Sequence, residues 1–120
     1  MSESDTYNGW TGKGNRASAY FTWDVALWID NEPGTYGDAR ELTGAHLGEY
    51  RAAGEDKRAH VVRELADELK QYVQDLPDVD AVLSRASMAA DLLGAALDDV
   101  SWREIAEHYL GDADDEDGAP

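Results

Sequence analysis

The stretch YNGWTGKGN, residues 7–15, sets a lysine between two glycines. Such a loop can cradle phosphate when Gly, four residues and Gly-Lys-Ser/Thr follow a strand and open a helix, because backbone N–H groups and the lysine then converge on the anion. Here Gly14 follows Lys13, and no strand-like alternation precedes it, so the stretch reads as a loop. His60 and Glu64 are four apart, as are Glu104 and His108, a spacing that puts both side chains on one helix face and could begin a metal site. A competent site needs three or four ligands held by supporting hydrogen bonds, and the one remaining histidine is His46. These pairs read as solvated helix surface. There is no cysteine, and no serine sits in a nucleophile-elbow context. The residues compose no catalytic constellation, so neither an enzyme, a metal site nor a cofactor is expected.

What the chain has in excess is carboxylate. It carries 26 Asp and Glu against 10 Lys and Arg, a net charge of −16. Residues 1–63 hold ten acidic and seven basic side chains; residues 64–120 hold sixteen and three. Phosphates would be repelled by the C-terminal half, which disfavours direct nucleic-acid binding and favours a basic protein partner. The charge has three readings: mimicry of DNA, adaptation to a halophilic or GC-rich host, and plain solubility. Asp exceeds Glu, 16 to 10, and Arg exceeds Lys, 7 to 3, as the host reading would have it.

The elements that must position these charges are helices. With 120 residues and 42% apolar content, the chain can bury one core. The acidic, polar N-terminus is unlike a signal peptide, and no apolar run could span a bilayer. A cytoplasmic protein is expected, with no membrane partner and as monomer or dimer. No stretch alternates as a strand for long. The expectation is an all-α, compact single-domain bundle of four to five helices over residues 1–111, with an irregular aromatic arm at 1–21 and a disordered acidic tail at 112–120.

Helices are expected at 22–32, 38–53, 55–76, 79–99 and 101–110. Thr22 is placed as the first N-cap, and Pro33-Gly34 as the stop. Val62, Leu65, Leu69, Tyr72, Val73 and Leu76 give the third helix a clear apolar face. The fourth, rich in Leu and Ala, is expected at the centre. Ser101 to Glu104, SWRE, forms a capping box for the fifth, with Trp102, Ile105, Ala106 and Tyr109 facing inward.

Trp23 and Trp28 fall on helical spacing with Val25 and Leu27, which places them in the core. Tyr7 and Trp10 follow no such spacing and are the aromatic candidates for partner binding. The acidic candidates are Glu64, Asp67, Glu68 and Asp75, on the polar face of the third helix, with Asp98 and Asp99 at the end of the fourth.

Two stretches carry a family likeness. YNGWTGKGNRASAYFTWDVALWIDNE resembles the opening of a family of small uncharacterised proteins from phages, plasmids and related mobile elements. ADLLGAALDDVSWREIAEHYL, residues 90–110, resembles the closing segment of that family. The insert GKGNRASAYF departs from its usual pattern. The resemblance implies an accessory gene of a mobile element and no catalytic residue. By analogy with counter-defence proteins, the expected function is a non-enzymatic protein-binding module, in its sharpest form a DNA-mimicking inhibitor of a host restriction or CRISPR system or other DNA-binding protein. The alternative is a regulatory or structural accessory protein that binds through Tyr7 and Trp10, its acidity set by the host.

Overall fold

The computed structural model describes residues 5–118, which form six helices and no strand. The first helix, α1 (Arg16–Asn31), begins six residues earlier than the sequence suggests. Its cap is Asn15, whose side chain accepts from the Ser18 amide at 2.9 Å. Asn is as good a cap as Thr, and it lets Ser18, Ala19 and Thr22 become buried helix positions. Residues 16–21 of the expected irregular arm are therefore helical. Residues 1–4 of that arm lie outside the described residues.

Pro33 ends α1 by opening the next helix. Glu32 is extended (φ −110°, ψ 124°), as a residue before proline prefers, and Pro33 occupies the first turn of α2 (Pro33–Ala52), where its missing N–H costs nothing. Gly54 and the acidic first turn of Glu55 and Asp56 start α3 (Glu55–Gln74). The same device recurs at Leu76-Pro77, which opens the short α4 (Pro77–Leu83).

The helix expected over 79–99 is two helices. Ser87, in extended conformation, caps α5 (Met88–Asp99) by accepting from the Ala90 amide at 3.0 Å. The central position expected for this segment is also corrected: α4 buries no residue, and α5 buries Leu97 alone. Nearly half of its apolar side chains are alanine, and the break from Ser84 to Ser87 splits it in two, so it packs at the margin.

The centre belongs to α3 and α6 (Trp102–Gly118), with α2 against both and α1 closing over α2, α5 and α6. Leu65, Leu69, Ile105 and Leu110 are fully enclosed there. The inward face expected of Trp102, Ile105, Ala106 and Tyr109 is observed. Trp28 departs from expectation: its side chain is 64% exposed, because α1 turns Ala26 and Ile29 to the core instead.

α6 continues well past residue 111, where an unstructured tail was expected. Ala113 packs against the core, and the Arg51 guanidinium donates to Asp114 at 2.8 Å, so the helix gains contacts that its composition conceals. Residues 119 and 120 lie outside the described residues.

Candidate functional site

The glycine loop is an anion cradle, and its anion comes from the chain itself. Glu104 accepts from the Thr11 amide at 2.9 Å, the Thr11 hydroxyl at 3.1 Å and the Gly12 amide at 2.8 Å. Gly12 adopts φ +60°, and a Cβ there would stand 2.4 Å from the Ala19 nitrogen, so only glycine fits. The Lys13 amide donates to Ser18 Oγ, and the Lys13 ammonium to the Asp98 carbonyl. Ser18 Oγ in turn donates to the Asp99 carbonyl. The carboxylate thus stands where a phosphate would, and the amides have no capacity left for an external anion. The capping box is half-formed for this reason: the Ser101 hydroxyl accepts from the Glu104 amide, but the Ser101 amide goes to Thr22 Oγ1 rather than to Glu104.

Tyr7 and Trp10 exchange backbone hydrogen bonds, at 2.9 and 2.8 Å, around Asn8 and Gly9, both at positive φ. This tight turn sends the two rings apart. Tyr7 packs on Tyr20 and Trp23, with centroids 5.1 and 4.9 Å away, and Trp10 packs on His108 at 5.2 Å and against the core. Both are half-buried.

The six acidic candidates do not converge. Glu64, Glu68 and Asp75 share one flank of α3, where Glu64 meets His60, Glu68 meets the buried His46 at 2.8 Å, and Asp75 accepts from Gln71 at 3.0 Å. Asp98 is bound at 2.9 Å by Lys70, which lies roughly 200° round the helix from Glu68. The hydrogen bond and charge of Lys70, with Lys13 adding to them, hold the Asp98 carboxyl below the usual range. Asp99 contributes its carbonyl to the loop. Asp67 faces a shallow recess shared with Lys13, Arg63 and Arg103. The carboxylates therefore surround the helices rather than form one patch, and none of those described is buried. Among the described residues no three His, Asp or Glu side chains converge as a metal site needs. None of the described helices is long and apolar enough to cross a membrane.

A different surface feature was not read from the sequence. An open groove of about 490 Å³ runs between α1 and the α3–α4–α5 margin. Val25, Trp28 and Ile29 form one wall; Leu76, Val79 and Leu93 form much of the other. Glu32 and Asp78 stand at its edge. The sequence carries no separate signal for it: Leu93 and Leu97, which line it, lie on an apolar stripe of residues 79–99 that reads as core.

These features define a small acidic all-α protein whose loop chemistry is satisfied internally and whose surface offers carboxylates and an apolar groove. The chain belongs to DUF7249, a family of unknown function, whose model matches residues 3–108. No curated protein and no solved structure matches the chain.

Proposed function

We propose that this chain is a non-enzymatic binding module for a basic protein, its carboxylate surface supplying attraction and orientation. One observation carries the reading: were every Lys and Arg paired internally, 16 carboxylates would still lack a cation, and those described lie at the surface. Fields of this size accelerate association with an oppositely charged partner and repel nucleic acid and anionic membranes. The motif likeness to mobile-element proteins supports a setting inside a prokaryotic host cell, and there the sharpest form of the proposal is an inhibitor that occupies the DNA-binding surface of a host protein. The rival surface at Tyr7 and Trp10 has less support, since both rings are engaged within the fold.

The test is capture of host proteins on the immobilised chain across a salt series, with duplex DNA as competitor. Binding that falls steeply with salt, and a captured protein that DNA displaces, is expected; exposed charges are screened within about 10 Å at 0.1 M salt. Asp67→Lys with Asp75→Lys should weaken capture and leave the fold intact, because neither carboxylate bonds another helix. A partner that binds DNA and this chain together, without competition, removes the mimicry. Binding insensitive to salt and to charge reversal removes the electrostatic reading altogether.

A further inference from the structure

We infer that the groove between α1, α4 and α5 is the docking site for a basic amphipathic helix of a partner protein, with Trp28 as its gate. The inference rests on the proposed preference for a basic partner and adds where and in what form that partner binds.

The groove has apolar walls, and its charged lining residues are Glu32 and Asp78; among the described residues no Lys, Arg or His lines it. Lys13, Arg63 and Arg103 instead line the recess near Asp67. An occupant therefore needs apolar side chains for the walls and positive charge where it leaves them. A second copy of this chain brings a further −16 and sets carboxylates against carboxylates, and an anionic lipid surface is repelled in the same way.

The lining also selects the occupant's backbone. Among the described residues no sheet edge is available to pair an extended peptide, and the Thr35 hydroxyl is already donated to the Ile29 and Glu32 carbonyls at 2.8 and 3.1 Å. An extended segment would leave its N–H and C=O groups unpaired over Val25, Val79 and Leu93. A helix satisfies its own and offers apolar anchors at i, i+3 or i+4, and i+7. The Trp28 side chain, 64% exposed at the rim, can close over such an anchor, and α4, with no buried residue, can adjust to its width.

The experiment uses the full chain and three synthetic helical peptides of equal length: one with leucine anchors and lysine elsewhere, one with the leucines replaced by glutamine, and one with the lysines replaced by glutamine. Binding is followed by calorimetry and by NMR shifts. The Leu/Lys peptide should shift Val25, Trp28, Val79 and Leu93, and bind at least about tenfold more tightly than either control, since each tenfold is 1.4 kcal/mol. Trp28→Ala should weaken it by a similar factor with an unchanged fold. If both lysine peptides bind equally and shifts spread over the acidic surface, the groove assignment falls and the basic-partner reading stands. If the Leu/Gln peptide binds as well as Leu/Lys, the groove stands and the charge requirement falls. Failure of all three peptides, or self-association that buries Trp28, overturns the proposal.

Discussion

Glu104 and Gly12, 92 residues apart, are joined by a 2.8 Å hydrogen bond from the glycine amide to the carboxylate, and this contact closes the N-terminal loop onto the start of α6. Three donors from Thr11 and Gly12 share two carboxylate oxygens. Glu104→Gln keeps the shape, removes the charge and turns an NH2 group towards those donors. Hydrogen bonds to charged groups contribute about 1.5–3 kcal/mol, so a loss of that order is expected in urea unfolding. Gly12→Ala should cost about 1–3 kcal/mol through its positive φ and the blocked approach to Ala19. The double variant should lose less than the sum, because both changes release the same loop. Strict additivity would show that they hold different parts of the fold.

Trp28 of the first helix and Trp102 of the last should behave differently. Trp102 is buried and donates its indole N–H to the Leu97 carbonyl at 3.0 Å. Trp102→Ala should cost about 3–5 kcal/mol, read from thermal melts. Trp28 lies on the groove rim, so Trp28→Ala should stay within about 0.5 kcal/mol of the parent. Equal losses would place Trp28 in the core after all.

That contrast marks where the sequence is legible. The faces of α3 and α6 could be read because each has one apolar stripe that must be covered, from Val62 to Val73 and from Trp102 to Tyr109. α1 carries two stripes, and spacing alone does not say which finds a neighbour; Ile29 does and Trp28 does not. Pro33 and Pro77 are true breaks that also serve as helix starts, an ambiguity settled by the helical turns on their C-terminal side. The acidic candidates were readable as exposed charge. Their dispersal by His46, Lys70 and Lys13 was not, since those partners are distant in sequence. The groove was hidden for the same reason: it exists only once α1 lies beside α4 and α5.

The C-terminal extension of α6 sets two small effects against each other. Arg51 with Asp114 is a half-exposed ion pair worth at most about 1 kcal/mol, and Ala113 adds a little apolar contact. Against these stand the acidic side chains at the negative end of the helix dipole. Truncation after Gly111 should therefore change stability by less than about 1 kcal/mol at low salt, and raising the salt should make the truncation more costly if self-repulsion is what it relieves. A larger loss by urea unfolding would make the extension part of the core.

Alkaline pH tests two phenols. Tyr72 donates to Asp38 at 2.7 Å, and withdrawal from water, reinforced by that carboxylate, pushes it up to about 12. Tyr109 donates to Asp30 and is raised further, burial again being the larger cause. A phenol raised in the folded state binds its proton more tightly there than in the unfolded chain. Its stabilisation is thus complete below the ordinary phenol value of about 10 and is lost as pH climbs through about 12. Tyrosinate absorbance should show Tyr72 ionising near the upper value and Tyr109 only as the chain unfolds. Asp38→Asn should move the Tyr72 midpoint part of the way down, since the burial remains while the charge is gone. A Tyr72 midpoint already at the ordinary value in the parent chain would mean that neither the burial of the phenol nor its Asp38 contact persists in solution.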